Sequence, residues 1–174
     1  AAATERPGQV AVAHYFDPPY LLPLVELERG PRTSAESIET ARRLYRRIGK
    51  RPVVIEKEMP GFVGNRLQGA LGREARALAD GGVATPEDID AVVKYGFGRR
   101  LAVAGPFEVW ELIGWDLVSV IGGALWKDIS RSTGAAAPGM IPGVDRAAGA
   151  AAKQTDRPQS QDSTGALRAR MERT

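Results

Sequence analysis

The sequence predicts an α+β chain in which the edge of an α/β sheet gives way to an all-helical domain and then to a disordered tail. Three observations predict it. Strand-like and helix-like runs alternate over residues 1–59, apolar residues recur at helical spacing from Gly61 to Leu125, and no aromatic residue follows Lys127. The domain organisation follows the same breaks: 1–59 sheet-bearing, 60–128 helical, 129–174 low-complexity tail. With 174 residues, 43% of them hydrophobic, the chain is long enough to bury a core.

The first element is the β-branched and aromatic run Val10-Ala-Val-Ala-His14-Tyr-Phe16, which begins after Pro7-Gly8 as a strand does. Asp17-Pro-Pro19 breaks it, and Leu21 to Leu27 form a second extended run closed by Gly30-Pro31. The two runs pair or neighbour each other. Thr33-Ser-Ala-Glu36 has capping-box spacing, and Ile38, Ala41, Leu44, Tyr45 and Ile48 follow at helical spacing until Gly49. Arg51-Pro-Val-Val-Ile55 is a buried-strand candidate, and Met59-Pro-Gly61 turns the chain out of it. Strand, helix, strand places this segment at the edge of an α/β sheet.

After Gly61, residues Val63, Leu67, Ala70, Leu71, Ala75 and Leu78 line one face of a long helix that ends at Gly81-Gly82. Thr85-Pro-Glu-Asp88 opens the next, with a cap hydroxyl, proline in the first turn and acids at the positive end of the dipole. Gly96-Phe-Gly98 ends that helix and Gly105-Pro106 starts another, with Phe107, Trp110 and Leu112 as its bulky residues. Beyond Lys127, small and polar residues dominate and cannot bury enough surface to offset their ordering entropy.

Composition excludes several function classes. Basic and acidic residues number 24 and 21 and alternate along the chain, so the formal charge of +3 makes no basic tract and gives nucleic-acid binding little support. The absence of cysteine removes disulfides, thiolate metal sites and cysteine nucleophiles, and fits a reducing cytoplasm. The lone His14 argues against a histidine-rich metal site. No apolar run approaches the roughly 18 residues a membrane span needs, and the start lacks the features of a leader. A soluble chain without membrane or nucleic-acid partners is expected.

Three residues invite chemistry. His14 is the one side chain of a type that titrates near neutrality, and Glu26 lies twelve residues on, in the next extended run. A buried carboxylate bound to one ring nitrogen leaves the other as a general base, as proton removal from an alcohol requires; a hydrogen-bonded structural histidine is the alternative. Asn65, near the start of the long helix, is placed either to bind a ligand or to cap the helix. Trp110, Trp115 and Trp126 read as core, and Arg99-Arg100 as a solvated surface pair. Neither a G-x-G-x-x-G nor a G-x-x-x-x-G-K-[ST] motif occurs, so the chain cannot build a standard dinucleotide site unaided.

Seven blocks in order carry a family resemblance: His14-Tyr-Phe-Asp-Pro18, Leu24-Val-Glu-Leu27, Ile48-Gly-Lys-Arg-Pro-Val-Val54, Pro60-Gly-Phe-Val-Gly-Asn-Arg66, Glu87-Asp-Ile-Asp90, Gly96-Phe-Gly98 and Gly105-Pro-Phe-Glu108. In order and spacing they resemble the 3-hydroxyacyl-CoA dehydrogenases, and the Pro-Pro-Tyr and Pro-Leu-Val-Glu variants look more like the lambda-crystallin, gulonate dehydrogenase and carnitine dehydrogenase branch than the short-chain fatty-acyl enzymes. The resemblance implies the C-terminal edge of a Rossmann-type domain, then a helical domain like the C-terminal domain of 6-phosphogluconate dehydrogenase. It implies NAD as cofactor, a 3-hydroxyacyl-CoA or 3-hydroxy acid as small-molecule substrate, and a homodimer through the helical domain. By resemblance, His14 is the general base, Glu26 holds its imidazole, Asn65 binds the substrate oxygen, and Asp17 stands where the family has a cofactor-contacting asparagine. Asp17 cannot donate that amide's hydrogen bond. The glycine-loop part of the Rossmann domain and the family's upstream serine are expected to be missing, and Ala150 to Thr155 is a degraded echo of the usual closing motif. A non-catalytic dimerisation module, or a truncated pseudogene product of the same family, is the alternative to a catalytic half.

Overall fold

A computed structural model describes residues 4–131. Within that range the chain forms two compact units, which meet in sequence between Gln68 and Gly69. The tail expected from residue 129 lies outside the described residues from 132 onward.

The first unit holds a three-stranded sheet of β1 (Val12–Tyr15), β2 (Leu24–Glu28) and β3 (Arg51–Ile55), in that order. β1 and β2 are antiparallel, so the proline-rich connection between them suffices; β2 and β3 are parallel and need a crossover, supplied by helix α1 (Ala35–Arg47). The strands expected at 10–16 and 21–27 are thus shorter or shifted, because Pro18, Pro19 and Pro23 cannot donate to a ladder. Val25, Leu27, Ile55 and the helix residue Ile38 are the buried apolar residues of this unit.

One expectation moves by a residue. Ser34, not Thr33, caps α1: its Oγ accepts from the Ser37 N–H at 3.1 Å. The Thr33 side chain is buried, and its hydroxyl instead accepts from the Gly30 N–H at 3.1 Å and donates to the Val10 carbonyl. Both residues can cap, and the need to satisfy a buried hydroxyl decides which one does.

Helix α2 (Phe62–Asp80) begins in the first unit and continues into the second, where α3 (Pro86–Tyr95), α4 (Phe97–Leu101), α5 (Pro106–Ile113) and α6 (Trp115–Leu125) follow. Thr85 caps α3 by accepting from Asp88 N–H at 3.2 Å, as its spacing predicts. Two features depart from the sequence expectation. Gly96-Phe-Gly98 ends α3 and at once opens the short α4, and the span from Pro106 to Leu125 is two helices broken at Gly114, whose φ of 89° only glycine adopts freely. The tryptophans are a further correction: Trp110 is half-buried, but Trp115 and Trp126 are 47% and 58% exposed and pack on Trp110 rather than in a core. The buried apolar residues here are Val109 and Val118.

Candidate active site

Strand periodicity puts Val25 and Leu27 on one face of β2 and Glu26 and Glu28 on the other, and all four are buried. A buried carboxylate is expensive unless it is hydrogen-bonded. Both are. Glu28 Oε1 accepts from the Met59 N–H at 3.2 Å. Glu26 Oε1 accepts from the N–H groups of Val63 at 3.0 Å and Gly64 at 2.9 Å. These two acids therefore tie the connection between β3 and α2 to the sheet, and Glu26 supplies the cap of α2. An anion at that position also meets the positive end of the helix dipole.

The other oxygen of Glu26 faces His14. The β1–β2 register sets His14 directly opposite Glu26, which places both side chains on one face. His14 Nδ1 lies 2.8 Å from Glu26 Oε2. The carboxylate accepts, so Nδ1–H donates, and the tautomer leaves the lone pair on Nε2. Nε2 makes no hydrogen bond among the described residues, and the imidazole is 22% exposed. The arrangement can take a proton from a hydroxyl brought to Nε2.

Two aromatic rings hold the imidazole. Phe16 meets it edge-on, with centroids 5.3 Å apart and planes at 65°, while Phe62 stacks flat on it at 4.4 Å and 1°. Gly61 and Phe62 have φ of 85° and 52°, and this left-handed pair turns the chain so that the first free N–H groups of α2 reach Glu26. A bulky residue in that region stores about 1–3 kcal/mol. Gly64 is fixed by space rather than by dihedral: a Cβ there would stand 2.3 Å and 2.7 Å from two ring carbons of Phe16.

Of the residues singled out from sequence, the structure brings together His14 and Glu26. Asn65 is exposed in the first turn of α2 and does not cap it; Glu26 does. Asp17 is exposed in the turn beyond the end of β1. Arg99 and Arg100 lie exposed on α4 in the second unit. Sequence reasoning missed Glu28, Phe16, Phe62 and Gly64 as parts of the site. The alternation of acids with Val25 and Leu27 was a usable signal for Glu28; no local pattern announced the ring contacts.

Three proteins similar to this chain are dehydrogenases by name. It is 49% identical over 98 residues to a 3-hydroxyacyl-CoA dehydrogenase of Gibberella moniliformis, an alignment covering 56% of this chain and 30% of the relative. It is 46% identical over 113 residues to an L-carnitine dehydrogenase of Mesorhizobium japonicum, covering 65% and 31%. Among solved structures, a 5-formyl-3-hydroxy-2-methylpyridine 4-carboxylic acid 5-dehydrogenase superposes with a TM-score of 0.81 at 32% identity, over 99% of this chain and 56% of that one. Residues 1–59 match the family model described as 3-hydroxyacyl-CoA dehydrogenase, NAD binding domain, and residues 61–149 the one described as the C-terminal domain. The chain belongs to the 3-hydroxyacyl-CoA dehydrogenase family. It spans about a third of the length of the curated relatives it matches.

Proposed function

We propose that this chain provides the proton-accepting half-site of an NAD-dependent dehydrogenase that oxidises the secondary hydroxyl of a 3-hydroxyacyl-CoA or a free 3-hydroxy acid to a ketone. The observation that carries the proposal is the His14–Glu26 pair, with Nδ1 bound at 2.8 Å and Nε2 without a hydrogen bond among the described residues. The substrate hydroxyl gives its proton to His14 Nε2, the C–O bond becomes C=O, and the hydrogen on the same carbon leaves with its electron pair. Glu26 stabilises the imidazolium that forms and, through Val63 and Gly64, is itself held still. Asn65, exposed one residue beyond Gly64, is proposed to donate to the substrate oxygen, and Asp17 to face the cofactor. The names of the relatives, L-carnitine dehydrogenase among them, support a short polar 3-hydroxy acid as well as an acyl-CoA.

NAD, when bound, accepts the hydride equivalent. The donor set tests how far it fits these residues. A base and its carboxylate suit the reacting end, whereas a pyrophosphate needs free N–H groups at a helix N-terminus, and those of α2 beside the pair are filled by Glu26. The start of α2 is accordingly not assigned to the phosphates. Self-association through the helical unit is proposed with this function: Leu112, Val120 and Phe107 are 80%, 70% and 67% exposed, an apolar display that favours a second copy. A cytoplasmic setting, consistent with the lack of cysteine, goes with it. No helix of the described residues is long and apolar enough to cross a membrane.

The test is reconstitution. The chain is mixed with a nucleotide-binding half from a relative, association is confirmed, and NADH formation is followed over a panel of 3-hydroxyacyl-CoA thioesters, L-carnitine and other free 3-hydroxy acids. Turnover of one class supports the proposal and identifies the substrate. A confirmed complex that reduces NAD with none of them overturns it in favour of a non-catalytic module.

A further inference from the structure

We infer that Phe62 is a positioning residue for the proton acceptor: its ring, carried by a left-handed backbone, fixes the direction in which His14 Nε2 points. The catalytic meaning of that role rests on the function proposed above, while the clamp itself is a property of this chain. Phe62 is the one non-glycine residue with positive φ among the described residues. Glycine adopts such a dihedral without strain, as Gly61 does beside it, so a bulky aromatic at this position calls for a compensating contact. The compensating contact is the stack on His14, parallel to within 1° at 4.4 Å.

The geometry explains what the stack adds. A single hydrogen bond at Nδ1 selects the tautomer but leaves the imidazole free to rock about the Nδ1···Oε2 line. A flat ring against one face removes that freedom, and the edge of Phe16 limits what remains. The contacts also close a circuit. His14 is bound by Glu26, Glu26 by the N–H groups of Val63 and Gly64, and the residue preceding that pair is Phe62, which returns to His14. Moving the ring therefore means moving the start of α2, and the direction of Nε2 is set by backbone rather than by one flexible side chain. Misdirection of a catalytic group by about 1 Å lowers rates by about 100-fold.

His14 is the only histidine, so the imidazole resonances of the full chain belong to one residue. In the unmodified chain they are expected to show the Nδ1-protonated tautomer and an upfield displacement from the Phe62 ring current. Phe62→Leu keeps apolar bulk, Phe62→Gly keeps the dihedral, and Phe62→Tyr keeps both ring and stack. The Leu and Gly variants are expected to keep the tautomer, which Glu26 sets, but to lose the displacement and gain ring mobility. In the reconstituted enzyme their kcat falls about 10- to 100-fold with KM within about twofold, and Phe62→Tyr restores it. Unchanged imidazole resonances in the Leu variant would overturn the clamp. A lost displacement with unchanged kcat would overturn the positioning role, and a fall in stability alone would make Phe62 structural. If the unmodified reconstituted enzyme turns nothing over, the proposed reaction fails, and the spectra still decide the clamp.

Discussion

Replacing Glu26 with glutamine keeps the shape of the side chain and changes what it can offer. The carboxylate accepts three hydrogen bonds at 2.8–3.0 Å while only 2% of the residue is exposed. In Glu26→Gln the amide oxygen can still accept from Val63 and Gly64, so the NH2 group must face His14 Nδ1. Two donors cannot face each other, and the imidazole changes tautomer, placing its hydrogen on Nε2 and removing the base. The rate is expected to fall about 100- to 10,000-fold, the scale of an acid-to-amide change behind a catalytic histidine. Stability falls less. Charge-assisted bonds become neutral ones, a difference of about 1 kcal/mol each, partly offset by no longer burying a charge, for a net loss of about 1–2 kcal/mol. Glu26→Ala instead orphans two part-buried N–H groups, and about 1–2 kcal/mol for each gives a loss of about 2–4 kcal/mol. Urea denaturation followed by far-ultraviolet circular dichroism reads the stabilities, since all three tryptophans lie outside this unit. Amide exchange at Val63 and Gly64 reads the cap, and the imidazole spectrum reads the tautomer. An unchanged tautomer in Glu26→Gln, or protected Val63 and Gly64 amides in Glu26→Ala, refutes the reasoning.

Further outcomes follow from the same contacts. Gly64→Ala drives a Cβ into the Phe16 ring and should lower stability by about 1–3 kcal/mol in urea titrations, with loss of the Phe16 edge contact from the imidazole spectrum. Leu27→Ala, at a residue 1% exposed, should cost about 2–5 kcal/mol in the same assay, whereas substitution of the exposed Val103 should stay within about 0.5 kcal/mol. The Tyr45 phenol, hydrogen-bonded to Tyr15 at 2.7 Å, is pushed from 10.0 up to about 12 by that bond first, then by burial and by charge on Tyr15. Because the folded value lies above the unfolded one, the stability it contributes is intact below about pH 10 and is lost as pH rises toward 12. Phenolate absorbance should show one late-titrating tyrosine, and Tyr15→Phe should bring it back toward 10; no late component would contradict the pair.

The sheet edge was legible because its parts are local. Val53, Val54 and Ile55 between a basic turn and Met59-Pro60, and the spacing of Ile38, Ala41 and Tyr45, announce strand and helix without reference to the rest of the chain. The His14–Glu26 contact was legible as a possibility only: twelve residues separate them, and the register that sets them opposite depends on how the proline-rich connection folds. The family blocks supplied what spacing could not. The cap of α2 was illegible because capping rules look to the residue just before a helix, and here the acceptor comes from a strand far back in the chain. Of the two uses open to Asn65 in sequence, ligand binding and capping, the cap is taken by Glu26. Thr33 and Ser34 are equally good caps in sequence, and burial chose between them. Phe62 left no trace in the pattern, since a positive φ at a non-glycine residue is imposed by its surroundings.

The central claim is that His14 Nε2 receives the hydroxyl proton. The direct test compares NADH formation by the reconstituted enzyme with that of the same complex carrying His14→Ala, at saturating substrate and with the fold of each confirmed by circular dichroism. A fall of about 100-fold or more is the predicted result. A variant that turns over at the unmodified rate would contradict the account and leave the His14–Glu26 pair as a structural device for starting α2.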